Sequence, residues 1–254
     1  MMLPYPTATT RNEKNQMIEE IRKRLLFKYR DEILAIGAYG SIGQGMDGPY
    51  SDIELHAVMK DGVSIESHEF IYDKFKIEIS MIQKSEIIKQ AKEVDDSWAI
   101  KAGVFTNILA VYDPEHLFEE VRNLPLQISD KAVKDTMREF MIWEPYETMA
   151  KIRNNFKINN LSYIPMGAKD LVWQTLKLIG LANKQSYSTR ARAYEESLVM
   201  ESKPTGYENL VIKVMEGKLD DSKLIYELCE KLWVGLNEWY SDLEIEYISK
   251  QLPV

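Results

Sequence analysis

Asp52 and Glu54 stand two apart inside a β-like run from Ser51 to Met59. Side chains at i and i+2 of a strand project to one face, with alpha carbons roughly 6–7 Å apart, so two carboxylates can share a divalent cation. Upstream, Gly40-Ser41 closes an apolar run, Ile33 to Tyr39, and more glycines follow at Gly43, Gly45 and Gly48. Such a stretch lets the backbone turn sharply or come close to a ligand. The Ser41 hydroxyl and its neighbouring amides make a seat for an anion. Phosphate oxygens on that seat and magnesium on the two acids would together hold Mg-ATP. An Asp-x-Glu alone is common and reads as the solvated face of a strand. The order glycine-serine, loop, Asp-x-Glu on a strand is much more specific.

A third carboxylate fits the same chemistry. From Phe75 to Met81, Phe75, Ile77 and Ile79 alternate with Lys76, Glu78 and Ser80, which predicts a strand. If it lies beside the strand of Asp52 and Glu54, Glu78 joins them. Three such acids repel one another without a cation. Magnesium is hard, takes oxygen ligands, and suits one or two carboxylates plus substrate phosphates. His56 shares that face and reads as a satisfied edge residue. Much later, Glu144, Glu147 and Lys151 fall at i, i+3 and i+7 on one helix face. On residue types alone this is a solvated helix with a Glu147–Lys151 ion pair.

The elements that must position these residues follow from periodicity. Asn12 to Tyr29 predicts an amphipathic helix, with Met17, Ile18, Ile21, Leu25 and Tyr29 at helical spacing. The strand Ile33–Tyr39 comes next, and Lys60-Asp61-Gly62 turns the chain after Met59. His68-Glu69-Phe70 and Asp73-Lys74 lead into the strand at Phe75. Ser85 to Glu93 predicts a helix, Trp98 to Ala110 is mixed, and Glu115 to Val121 is a short helix. The stretch from Asn123 to Asp130 is the linker. Before it strands and helices mix; beyond it the pattern is helical. The expectation is an α+β chain with domains over 1–127 and 128–254. In the second, one helix runs Lys131–Asn154, bent near Pro145. Ala168–Ala182 is a core helix with Trp173 in the core. Another helix begins at Tyr187-Ser188-Thr189, carrying Arg190 and Arg192, and two more lie at Gly206–Met215 and Asp221–Tyr240.

Composition sets the limits. The chain has 254 residues, 45% hydrophobic and 28% charged, ordinary for a globular protein with a sizeable core. No apolar run approaches the roughly 20 residues of a membrane span, and Met1 to Thr10 do not read as a signal peptide. The single cysteine, Cys229, has no partner for an internal disulfide, so a cytoplasmic setting is expected. The net charge of −8 argues against a polynucleotide partner and suits a polycationic small molecule.

Gly40-Ser41 followed by Asp52-Ile53-Glu54 resembles the signature of the DNA polymerase β-like nucleotidyltransferase superfamily. Ile36 through Gly43, with Asp47 through Glu54, is similar to the kanamycin nucleotidyltransferase family, aminoglycoside 4′-O-adenylyltransferases. The similarity continues through Ser67-His68-Glu69, Lys76-Ile77-Glu78, Glu147 and Lys151-Ile152-Arg153-Asn154. The resemblance implies an N-terminal nucleotidyltransferase domain, a mixed sheet with helices, followed by a helical bundle. It implies attack of an aminoglycoside hydroxyl on the α-phosphorus of ATP, with Mg2+ on Asp52 and Glu54. Gly40, Ser41, Gln44 and Lys151 then belong to the nucleotide site, and Glu69, Lys76, Glu78 and Glu144 to the acceptor side. Glu147 matches the general base, with Glu78 its rival. The implied assembly is a homodimer with shared active sites. Two departures stand out: Gln44 occupies the usual place of an arginine, and Trp143 that of an acidic residue. Other acceptors, such as a lincosamide, a nucleotide or a protein hydroxyl, remain as alternatives, as does a non-catalytic, antitoxin-like nucleotide binder.

Overall fold

A computed structural model describes residues 6–29 and 31–252. The chain is α+β and forms two compact units. The first runs through Glu93 and resumes over Lys101–Gln127; the second takes Val94–Ile100 and the chain from Ile128 onward.

In the first unit, α1 (Arg11–Tyr29) buries Ile18, Ile21 and Leu25 against the sheet. Then come β1 (Ile33–Ala38), a one-turn helix α2 (Gly40–Gly43), β2 (Ile53–Met59), β3 (His68–Tyr72) and β4 (Phe75–Gln83). Next are α3 (Lys84–Lys92), α4 (Trp98–Thr106), β5 (Leu109–Tyr112) and α5 (Leu117–Asn123). The strands lie in the order β3-β4-β2-β1-β5. β2 and β4 are parallel; the other neighbours are antiparallel. Both faces of the central strands β1 and β2 are covered, so these two read as nearly continuous apolar runs. Ile53, Leu55, Ala57 and Met59 pack on the α1 side. Val58 packs on the other side with Ile87, Phe105 and Phe118.

In the second unit, α6 (Asp130–Trp143) is capped by the Ser129 hydroxyl, which accepts from the Ala132 amide at 3.1 Å. There follow α7 (Pro145–Lys157), α8 (Ile164–Ala182), α9 (Ala193–Val199), α10 (Tyr207–Met215) and α11 (Ser222–Asp242). α8 is the core helix, with Leu171, Val172, Leu176 and Ile179 fully buried. Trp233 and Trp239 are packing residues, and Cys229 is fully buried. The segment Val94–Ile100 is held here by late partners. The Thr136 hydroxyl donates to the Val94 carbonyl at 2.9 Å, Lys177 pairs with Asp96, and the Tyr187 amide donates to the Ala99 carbonyl at 2.8 Å.

The structure differs from the sequence expectation at several points. His68–Tyr72 is an edge strand whose five residues are all exposed, so no burial alternation marks it. Lys131–Asn154 is two helices, because Glu144 leaves helical geometry (φ −119°, ψ −68°) just before Pro145 opens α7. The helix expected from Tyr187 starts only at Ala193, so Arg190 and Arg192 precede it. His56 is not an edge residue. It is 4% exposed on the central strand, its ring stacked 4.1 Å from Tyr39 and 6.1 Å from Phe105. Burial pulls its pKa down to about 4, against the Val104 carbonyl, so it is neutral at ordinary pH.

Candidate active site

The register of the sheet builds the site. Glu54 on β2 pairs with Glu78 on β4, and Glu78 with Glu69 on β3. Three glutamates therefore form one row across adjacent strands, which lie roughly 4.8 Å apart. Asp52, two residues before Glu54, flanks the row. Lys76 threads between the acids, with its ammonium 2.8 Å from Glu69 and 3.7 Å from Asp52. The hydrogen bond it donates to Glu69 is the main reason its pKa is raised.

The turn that ends β1 comes directly beneath the row. Gly40 has φ +61°, and a Cβ placed there would lie 1.8 Å from Glu54 Oε2. Only glycine lets that carboxylate lie over the turn. Tyr39, the residue before it, donates its hydroxyl to Glu78 at 2.9 Å. Burial first, then the Glu78 charge, pushes the Tyr39 pKa far above the phenol range, so it remains a donor. Glu54 is the group most affected by the crowding. Burial, then the charges of Asp52 and Glu78, raise its pKa to about 7, with Lys76 opposing.

The glycine loop after Ser41 is tied to α1. Lys14 is buried; its ammonium lies 3.0 Å from Asp47 and 2.5 Å from the Gly48 carbonyl. Arg11 also reaches Asp47 at 2.5 Å, and the Gly45 carbonyl at 2.6 Å. Gln44 closes α2, its amide donating to the Gly40 carbonyl at 3.2 Å. Two cations thus stand beside the loop position that carries no arginine.

Glu144, Glu147 and Lys151 lie in the second unit. Lys151 and Glu147 form the i,i+4 ion pair at 2.9 Å, which raises the lysine pKa. Glu144 accepts from Gln174 Nε2 at 2.9 Å. Arg153 is engaged by Glu230 at 2.9 and 2.7 Å. Trp173 was expected in the core; it is half-buried and lines a cavity, with the Arg190 guanidinium 4.8 Å from its ring centroid.

Sequence reasoning brought Asp52, Glu54 and Glu78 together and passed over two residues. Tyr39 was read only as the end of a strand, although a phenol two positions before Ser41 was a signal. Gln174 was hidden in an apolar helix, although Asp170, Trp173, Gln174 and Lys177 keep i, i+3, i+4, i+7 spacing there.

A family model described as the KNTase C-terminal domain matches residues 115–246. An aminoglycoside nucleotidyltransferase (4′) of Staphylococcus aureus is 32% identical over 249 residues, 98% of each chain. One of the same name from a Bacillus species matches with the same identity and coverage. The crystal structure of a nucleotidyltransferase-like protein from Exiguobacterium sibiricum shares the fold, with a TM-score of 0.54 at 9% identity over 89% of this chain and 75% of the other. The relatives are nucleotidyltransferases, enzymes of the transferase class, and the chain is one by that kinship. Within that class, the chain belongs to the kanamycin nucleotidyltransferase family.

Proposed function

We propose that the chain transfers an adenylyl group from Mg-ATP to the 4′-hydroxyl of an aminoglycoside, releasing pyrophosphate. The observation that carries this is the row of Glu69, Glu78 and Glu54 with Asp52 beside it, above the Gly40-Ser41 turn. The names of the two relatives support the acceptor and the position modified.

A hard cation suits the donor set. Asp52 and Glu54 offer only carboxylate oxygens, and the raised Glu54 pKa marks negative charge that a cation relieves. Among the described residues, no three acidic, histidine or cysteine side chains gather closely enough to hold a metal by themselves. Asp52 and Glu54 would therefore share Mg2+ with nucleotide phosphates, and the ion would offset charge developing on those phosphates.

The remaining tasks are positioning and proton transfer. Ser41 and the loop amides bind the β and γ phosphates, with Gln44 donating a neutral hydrogen bond where an arginine is usual. Lys151 supplies a cation to the nucleotide, and Lys76 one to the row of acids. The acceptor oxygen forms a bond to the α-phosphorus as the bond from that phosphorus to pyrophosphate breaks. Glu147 takes the hydroxyl proton. Glu78 is the rival base, favoured by its place opposite Glu54. Glu69, Glu78 and Glu144 hold ammonium groups through charge-assisted hydrogen bonds.

A homodimer with shared active sites in the cytoplasm completes this reading. The exposed edge strand β3, with Phe70, Ile71 and Tyr72, supports self-association. No helix among the described residues is long and apolar enough to cross a membrane.

The direct test mixes purified protein, Mg-ATP and a panel of aminoglycosides, reading pyrophosphate and adenylylated product. Absence of product with every 4′-hydroxyl aminoglycoside, despite Mg-ATP binding, removes the reading. Sharing is tested by mixing Asp52→Asn subunits with Glu147→Gln subunits. Turnover should return in the mixture, and a mixture as inactive as its parts rules out sharing.

A further inference from the structure

The second unit contains a cavity of about 720 Å³ that the roles above leave largely unused. Its size is that of a small-molecule site, roughly 300–1,000 Å³. α8 is otherwise a core helix, yet Asp170, Trp173, Gln174 and Lys177 give it one polar and aromatic stripe, and that stripe lines the cavity. Phe140 and Trp143 line it from α6, and Glu144, the residue between α6 and α7, lies beside them.

Two cations of the chain show what these walls accept. The Lys177 ammonium pairs with Asp96 and lies 4.5 Å from the Phe140 ring centroid. Arg190 lies against the Trp173 ring. Both are the cation–π geometry that suits an amine. An independent sign of a ligand is Gln174, only 7% exposed. Its Nε2 donates at 2.9 Å to both Glu144 and the Thr148 hydroxyl, while its Oε1 is buried without a hydrogen-bond donor. Buried acceptors are normally satisfied, so this one calls for a donor. Trp143, 74% exposed, adds a large apolar surface to the lining.

We propose that this cavity binds an amine-bearing ring of the acceptor. Asp170 and Glu144 take its ammonium groups, Trp173 and Trp143 flank the ring, and Gln174 offers its free oxygen to a hydroxyl or ammonium donor. The proposal rests on the aminoglycoside reading above and assigns Asp170, Trp173 and Gln174, which the resemblance does not. It also gives Trp143 a role: an aromatic wall replaces an ionic contact, and selection shifts toward ring shape.

The test titrates kanamycin A into the full chain by calorimetry, without nucleotide, and measures KM for kanamycin A and for ATP. Asp170→Asn and Trp173→Leu should each raise the kanamycin Kd and KM about tenfold, the equivalent of about 1.4 kcal/mol. The ATP KM and kcat should stay within about twofold. A purely structural defect would instead move the ATP KM and the melting temperature together. Asp170 is exposed, so Asp170→Asn decides the matter should Trp173→Leu fail to fold. Unchanged kanamycin constants in the variants, beside a wild type that turns over, overturn the cavity alone. A wild type that neither binds nor adenylylates kanamycin A overturns both readings.

Discussion

Both units are rich in acids, yet they treat them differently. In the first, Asp52, Glu54 and Glu78 face one another, and one lysine, Lys76, spans Asp52 and Glu69. The strain shows in Glu54, whose pKa rises to about 7. In the second, acids have partners from the chain itself: Glu147 has Lys151, Asp96 has Lys177, Asp130 has Lys184, and Glu144 has the Gln174 amide. An unbalanced cluster is a place for a multivalent cation. A balanced one can exchange its own ammonium for that of a ligand at little electrostatic cost, which suits recognition. On the function proposed above, the sheet holds the cation, and the helices supply the base Glu147 and the contacts of the cavity.

The hardest test of that division is Asp52→Asn. It should lower turnover by orders of magnitude with the melting temperature unchanged; turnover within a few-fold of wild type removes Asp52 from the cation site. Next, Glu147→Gln and Glu78→Gln separate the two units by role. The true base should lose roughly 10²–10⁴-fold in the chemical step, measured in single turnover, and the other far less. A larger loss in Glu78→Gln would move the base to the sheet and leave the helices with binding alone. Gly40→Ala is smaller but still specific. Its methyl group would collide with Glu54 at a backbone of φ +61°, so nucleotide affinity should fall about tenfold while the kanamycin Kd holds. Equal losses in both would mean the turn serves the whole molecule.

The smallest effect is in pH dependence. Without metal, folded Glu54 holds its proton up to about 7, against an ordinary value of 4.5. The folded state therefore binds this proton more tightly than the unfolded one. Stability should fall as pH rises from about 4.5 to about 7 and level off above. Glu54→Gln should lose that slope and be the more stable protein at pH 8, as denaturant midpoints at pH 5 and pH 8 will show. Parallel behaviour of variant and wild type would mean the acids of the sheet are not crowded.

The site on the sheet was legible because two-residue periodicity fixes which side chains share a face, and Asp52, Glu54 and Glu78 obey it. The pairing of β2 with β4 was a conditional reading that the register satisfies. The edge strand β3 was not legible, since Phe70, Ile71 and Tyr72 are exposed on both faces and give no alternation. Nor was the break at Glu144, because proline is as compatible with a bent helix as with two. The helical cavity escaped for a different reason. Its lining comes from separate helices, and on α8 a stripe of four polar or aromatic positions was outweighed by the buried apolar majority. His56 misled because a polar residue on a strand suggests a rim, whereas stacking on Tyr39 and Phe105 lets a neutral imidazole sit at the centre.

The placement of Val94–Ile100 has a consequence for synthesis on the ribosome. That segment is made before everything that holds it: Thr136 comes 42 positions after Val94, and Lys177 81 positions after Asp96. At about 5–20 residues per second, Asp96 waits several seconds for its counter-ion. The sheet can settle while the nascent chain is still growing, but the bundle has to reach back for a strip of sequence already outside the tunnel. Rare codons between the two would lengthen that interval, and the exposed strip is where a chaperone or a protease would find the unfinished protein.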